Sequence, residues 1–173
     1  MTALRNIVLV LALAAILALT NWEIIKKRAV IAQGTPVLLA LAPVDPLSLM
    51  QGYYMALAMA PENMPDEATM AGLPYSGFVI LALDENGVGR FARLDDGSAL
   101  KAGEVRIRYR RHETWGQPRL DYGAQSFFFQ EEDATVYQGA KFALLRVAAD
   151  GSTVLTDLAD ENRAVIKPPM EKP

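Results

Sequence analysis

The chain has 173 residues, 51% of them hydrophobic, with 17 basic and 20 acidic side chains, a formal net charge of −3 and no cysteine. That length suits one domain plus an appendage. Lack of thiols excludes disulfides, thiolate zinc sites and cysteine nucleophiles, and the single histidine, His112, leaves too few ligands for a zinc centre.

Ile7 to Leu19 is unbroken apolar sequence, with Arg5 before it and Trp22 after. As a helix, Ile7 to Trp22 would cover about 24 Å of a hydrocarbon core about 30 Å thick. Arg5 can snorkel outward, Trp22 suits the headgroup layer, and Ile24 and Ile25 extend the apolar face. The alternative is a cleaved signal peptide, but Ala18-Leu19-Thr20 is a poor cleavage site and Val30-Ile31-Ala32 lies beyond Lys26-Lys27-Arg28. Residues 1–28 are therefore read as an uncleaved, signal-anchor-like transmembrane helix with a basic flank. The side is contested: the basic triplet favours a cytoplasmic domain, whereas a short basic N-terminus before an apolar run resembles a signal anchor.

Residues 1–28 hold four of the basic and one of the acidic side chains, so residues 29–173 keep thirteen and nineteen, a net of −6. That balance disfavours nucleic acid as a partner. Ala29 to Gly34 reads as the helix continuing out of the membrane, stopped by Gly34 and Pro36. Val37 to Leu41 reads as a short strand.

Pro43 to Met59 is the most constrained stretch of the chain. Pro43 and Pro46 fix their own φ and push Val44 and Asp45 to extended backbone. Gly52 sits where positive φ is expected, after a short turn. From Tyr53 a strand would place Tyr53, Met55, Leu57 and Met59 on one face and Tyr54, Ala56 and Ala58 on the other. With no charge between Asp45 and Glu62, both faces are expected to be covered. A helix is the rival, at a cost of about 1 kcal/mol for Gly52.

These residues resemble the family named for its GDYxxLxY motif, in which Pro-Val-Asp-Pro precedes Gly-Asp-Tyr. Pro43, Val44, Asp45, Pro46, Gly52, Tyr54 and Leu57 match, while Tyr53 replaces the motif's aspartate and Met59 its final tyrosine. Similarity continues through Ser126 to Glu131, Ala140 to Val147 and Asp150-Gly151. The resemblance implies a membrane-anchored protein with an extracytoplasmic domain, paired with a multi-spanning membrane protein; it assigns no reaction. A phenol at Tyr53 cannot replace a carboxylate base or ligand, so the family's aspartate is read as a turn-former.

Pro61 to Pro74 reads as a loop in which Met64 and Met70 are incidental. Gly77 to Leu83 and Val88 to Leu94 read as strands, punctuated by Asp84-Glu85-Asn86-Gly87 and Asp95-Asp96-Gly97. Glu104 to Arg110 alternates, with Val105, Ile107 and Tyr109 opposite Glu104, Arg106, Arg108 and Arg110. Gln117 to Tyr122 reads as its neighbour, Ser126 to Gln138 as holding a short helix, and Lys141 to Ala148 with Thr153 to Leu158 as a last hairpin. From Asp160 the tail reads as loose. The expected fold is mainly β, an antiparallel barrel or sandwich over residues 29–160 with short helical segments, preceded by one transmembrane helix and followed by a loose tail, 161–173.

Catalytic options are few. His112 would be the only base for a serine–histidine–aspartate arrangement, and it reads as an ordinary surface histidine. Ser48 precedes a turn loosely similar to that of signal-peptidase-like serine hydrolases; it would need a buried lysine, with Lys101 and Lys141 as candidates. The carboxylates of Asp84, Glu85, Asp95 and Asp96 are explained by turns, and Glu131, Glu132 and Asp133 by a helix N-terminus. Three arginines at alternate positions of one strand face, Arg106, Arg108 and Arg110, repel one another unless an acidic strand (through Asp95 or Asp121) or a ligand answers them. The candidate ligands are anionic lipid headgroups or an acidic partner. Of Phe127 to Phe129, at least one is expected to be exposed.

The expected function is thus a non-enzymatic accessory or binding module, held in the cell inner membrane on the periplasmic face, beside an integral membrane partner and without cofactor or metal. Asp45, Tyr53, Tyr54, Arg106, Arg108 and Arg110 are the candidate contact residues, and Pro43, Pro46, Gly52 and Leu57 the structural motif. The competing reading is a membrane-bound serine hydrolase using Ser48.

Overall fold

The computed structural model describes residues 2–42, 54–114 and 117–168. Pro43, Asp45, Pro46, Ser48, Gly52 and Tyr53 lie outside them.

The first element, helix α1 (Thr2–Gln33), includes the stretch Arg5–Gln33, which is long and apolar enough to cross a membrane and is exposed along its length except at half-buried Val30. Its two polar residues after the apolar run turn back on the backbone. Thr20 Oγ1 donates to the Ile16 and Leu17 carbonyls at 3.0 Å, and Asn21 Nδ2 donates to Leu17 O at 2.8 Å. Such bonds reduce the number of unmet polar groups that the helix carries into lipid. One turn further on, the Lys26 ammonium lies 5.6 Å from the Trp22 ring. The helix stops at Gly34, whose N–H donates to Val30 O. A Cβ there would lie 2.5 Å from that oxygen and 3.1 Å from Val147 N, so only glycine allows so tight an exit.

The chain then forms β1 (Thr35–Ala40), β2 (Tyr54–Ala56), a 3-10 turn at Pro61–Asn63, α2 (Glu67–Gly72), β3 (Ser76–Leu83), β4 (Gly89–Leu94), β5 (Glu104–Thr114), β6 (Gln117–Asp121) and β7 (Ser126–Phe128). A 3-10 turn at Glu131–Asp133, α3 (Ala134–Tyr137), β8 (Phe142–Val147) and β9 (Thr153–Ala159) complete it. The strands make three antiparallel sheets, ordered β1-β8-β9, β4-β3-β5-β6 and β2-β7. The two larger sheets touch where Leu38 N donates to Gly87 O and where Arg108 N donates to Gly151 O, each at 2.9 Å. They form a half-barrel, as expected of a mainly β chain with short helices.

Alternation decides which side chains fill it. Val37 and Leu39 of β1, Val79 and Leu81 of β3, Ile107 and Tyr109 of β5, and Leu145 of β8 share the interior. The organising stretch behaves as the strand pattern requires: Met55 and Met59 are buried and Leu57 packs beside them. Only three residues form the strand itself, and Ala56 is exposed, so one face is left open where both were expected to be covered. The described residues on the two sides of 43–53 are tied to each other. Ala42 N donates to Ala58 O at 2.8 Å, Ala60 N to Ala40 O at 2.9 Å, and Leu41 pairs with Met59.

Several expectations need correction. Pro61 to Pro74 is not a loop: Asp66 caps α2 by accepting from Thr69 N at 2.9 Å, and Met70 is core rather than incidental. After Asp95-Asp96-Gly97 the chain passes β3 and pairs on its far side, so this punctuation does not close a hairpin. His112 lies in β5, exposed, not in a loop. Of the tail expected to be loose, the described part up to residue 168 is tied down, since Val165 pairs with Ala159, Ile166 N donates to Leu158 O at 2.9 Å and Ile166 packs on the core. Of the three phenylalanines, Phe127 and Phe129 lie 5.1 and 5.3 Å from the Tyr137 ring, while Phe128 is 75% exposed.

Candidate functional site

The arginine-bearing face of β5 splits into two kinds of residue. Opposite Arg106 in the register stands Ile80 of β3, and opposite Ile80 on the other side stands Arg93 of β4. Because β3 separates β4 from β5, the Asp95-Asp96 connection comes back over this face and supplies carboxylates. Arg106 Nε lies 2.9 Å from Asp95 Oδ2, but the N–H points away from that oxygen, and the hydrogen bond runs instead from Nη2 to Oδ1 at 3.3 Å. Arg93 reaches Asp96 at 2.9 Å and Glu104 at 3.0 Å. The hydrogen bond from Arg93, then that from Lys101 N, holds the Glu104 carboxyl below its usual pKa range, and the Glu104 bond raises the Arg93 pKa. This half of the ladder is answered internally, as the structural reading of Asp95 expects.

Arg108 and Arg110 are not. Both are exposed, and among the described residues neither has an acidic group within ion-pair distance. Asp121 does lie opposite Arg110 across β5 and β6. Its carboxylate is turned to the Gly123 and Ala124 N–H groups at 2.7 and 3.2 Å and to Gln125 at 2.8 Å, closing the bend after β6. The expectation that Asp121 answers the ladder fails for that reason: a turn with donors of its own claims the oxygens first.

Phe78 of β3, paired with Arg108 in the register, carries the Arg106 and Arg108 guanidinium carbons 5.8 and 5.3 Å from its ring centroid. Strand β4 pairs with β3 only from Val79 onward, which leaves Ser76 and Gly77 with an uncovered edge. There an open cleft of about 650 Å³ is lined by Tyr75, Ser76, Gly77, Phe78, Arg108 and Arg110. Tyr75 stands 71% exposed at its rim. Asp150 is the acidic group whose pKa feels Arg108. Its carboxyl is lowered first by the Ser152 side-chain hydrogen bond, then by the Ser152 N–H, and the Arg108 charge adds to both.

The cleft belongs to the end of the domain that receives α1. Arg108 N donates to Gly151 O, and Ala148 to Ser152 is the turn that joins β8 to β9. Val147, at the near end of β8, is the residue against which Gly34 packs. Three of the lining residues, Tyr75, Ser76 and Phe78, were not candidates in the sequence. Period-two alternation put Phe78 on the face of Ile80, but only the β3–β5 register puts that face under the arginines.

Tyr54 pairs with Phe128 between β2 and β7, and Leu57 is a packing residue. Asp45, Tyr53 and Ser48 lie outside the described residues. Lys101 and Lys141 are both exposed, so neither is the buried lysine that a Ser48 nucleophile requires. Glu131–Asp133 leads into α3, and among the described residues no cluster of histidine and carboxylate side chains could hold a metal.

A protein-family model described as GDYXXLXY protein matches residues 16–158, from the middle of α1 to the end of β9. No curated protein and no solved structure matches the chain.

Proposed function

The chain belongs to the GDYXXLXY family, and from that premise we propose that it is a non-enzymatic binding module, anchored by α1 in the inner membrane with its half-barrel on the extracytoplasmic face, working beside an integral membrane protein. The observation that carries this reading is the pairing of an apolar helix whose residues are exposed almost throughout, Arg5–Gln33, with a β domain joined to it through a single glycine turn. A helix of that character in water would expose a continuous apolar surface far larger than soluble proteins tolerate. In lipid it is at rest, and its Thr20 and Asn21 side chains are bonded to its own backbone. Exposed Arg108, over the Phe78 ring, and exposed Arg110 supply contact chemistry at the same end, with Arg106 as the paired member that holds the face in place.

Lack of native cysteine makes the topology simple to test. A Lys101→Cys variant should react with a membrane-impermeant maleimide in intact cells. Reaction only after permeabilisation would put the domain in the cytoplasm. For the partner, crosslinking in intact membranes followed by capture of the full chain should bring down one multi-spanning protein in near-equal amount. Recovery of the chain alone at natural expression would remove that half of the reading.

A further inference from the structure

We infer that the cleft formed by Tyr75, Ser76, Phe78, Arg108 and Arg110 is a binding site for the phosphate of an anionic phospholipid headgroup in the leaflet from which α1 emerges. The inference rests on the anchored reading above and adds to it a ligand class and the residues that hold it.

Chemistry fixes the class. Two guanidinium groups project from alternate positions of one strand face, their Cα atoms about 6.7 Å apart. That spacing lets both reach one phosphate, and a guanidinium fork matches phosphate oxygens better than an ammonium does. Among the described residues no carboxylate is ion-paired with them. Arg106 is held by Asp95, Asp121 serves its own turn, and Asp150 is engaged by Ser152 Oγ at 2.6 Å and Ser152 N at 2.9 Å. Phe78 beneath Arg108 restricts that side chain, so less freedom is lost when it closes on an anion. Ser76 lines the cleft and carries a hydroxyl, a further donor.

Position separates a lipid phosphate from a free one. Hydrophobic sequence in α1 ends near Ile25, and eight residues from there to Gln33 rise about 12 Å. The headgroup layer on each side of the hydrocarbon core is about 5–8 Å thick. The domain end built from Gly34, Val147 and the Ala148–Ser152 turn therefore stands about 4–7 Å beyond that layer, a gap that a long arginine side chain spans, with the cleft against the same turn. Exposed Tyr75 is the aromatic type that settles at such a boundary, and Lys26, Lys27 and Arg28 add positive charge directly below. The body as a whole is acidic, net −6 for residues 29–173, so a general attraction to an anionic membrane is not what brings the cleft there. Its charges are local.

The test uses the full-length chain in nanodiscs of phosphatidylcholine alone or of an equimolar mixture with phosphatidylglycerol. Arginine modification by phenylglyoxal is followed residue by residue by mass spectrometry. Arg108 and Arg110 should react about fivefold more slowly in the anionic discs, the effect of one basic side chain engaged at an anionic surface. Arg163, exposed on the turn beyond the far end of β9, serves as the internal reference and should react equally in both. An Arg110→Gln variant should lose most of the protection at Arg108 while its unfolding midpoint stays near that of the parent.

Equal rates at Arg108 in the two lipids would overturn the inference. Protection by inorganic phosphate added to phosphatidylcholine discs, equal to that in the anionic discs, would overturn the lipid source and leave a soluble phosphate as the ligand. Migration of the chain apart from the discs would instead sink the anchored reading, and it is scored separately by co-elution.

Discussion

The Tyr122 hydroxyl donates to the Asn63 main-chain carbonyl at 2.8 Å, and both residues are withdrawn from solvent. Asn63 in turn sends its Nδ2 to Ala40 O at 2.6 Å. One buried amide thus ties the end of β1, the 3-10 turn after the motif stretch and the end of β6. Among the described residues its Oδ1 has no hydrogen-bond partner, so the remaining bonds of this tie matter more.

Replacing Tyr122→Phe should cost about 1–2 kcal/mol, because the Asn63 carbonyl stays buried without its donor. The loss should be read by chemical denaturation of the detergent-solubilised full chain. A change under a few tenths of a kcal/mol would mean that water reaches the carbonyl. Tyr122 also has a pH signature. Burial pushes its phenol pKa far up, with Tyr109 nearby adding to the shift. The folded state therefore keeps this proton where the unfolded chain releases it. Its contribution is complete below about pH 10 and declines as pH rises above that value. Parent stability should fall more steeply than that of Tyr122→Phe above pH 10, and the two curves should run parallel at neutral pH.

On the acid side the relevant groups are turn carboxylates. Asp84 Oδ1 accepts from Asn86 N at 2.8 Å and Val88 N at 2.9 Å, and the Val88 bond is the main reason its pKa is lowered. Asp96 falls to about 2, first through its hydrogen bond to the Ser98 side chain. Depressed folded-state values mean stabilisation that is present above the unfolded carboxylate range and lost as pH falls through about 4 toward 2. An Asp84→Asn variant should show a shallower acid limb than the parent between pH 5 and 2 by the same denaturation measurement, with little difference in slope from pH 6 to 8. Identical acid limbs would mean that the Asp84 turn persists in the unfolded chain.

The split arginine face predicts unequal mutations. Asp95→Asn strips the carboxylate paired with Arg106, whose side chain is 33% exposed against 11% for Asp95. It should cost about 1 kcal/mol, near the upper end for partly exposed pairs. Arg110→Gln should stay within about 0.5 kcal/mol, as for a surface residue with no partner to orphan. Urea midpoints measured side by side decide it, and equal losses would mean that Arg110 is braced by the domain.

That asymmetry also marks how far the sequence could be read. Alternation over Glu104 to Arg110 placed Ile107 and Tyr109 inside and the arginines outside, because a period of two is a local property. Helix α1 and the turns at Asp84 and Asp150 were legible for the same reason. Which arginine is answered was not, since the Arg106–Asp95 pair depends on β5 crossing to the far side of β3, and strand order leaves no trace in either strand. Helix α2 was hidden behind Pro61, Pro65, Gly72 and Pro74, although Asp66 with Thr69 three residues later is a capping signal. Tyr75 and Phe78 joined the site only through register. Asn63 gave no signal, because a polar residue between prolines reads as loop until its burial is seen.

Gly151 offers the sharpest separation of backbone strain from crowding. It holds φ at +79°, and a Cβ there would meet Phe78 Cε1 at 3.0 Å and Cδ1 at 3.1 Å. Gly97 has φ +81° with nothing within 4 Å of the position a Cβ would take. Gly97→Ala should therefore cost only the left-handed penalty, about 1–2 kcal/mol. Gly151→Ala should cost that and the displacement of the Phe78 ring, so its denaturation midpoint must fall further. Because Phe78 seats Arg108, phenylglyoxal should also modify Arg108 at a changed rate in Gly151→Ala and at the parent rate in Gly97→Ala. Equal midpoints for the two variants would mean that the Phe78 ring yields freely, and that the floor of the cleft is not held by the β8–β9 turn.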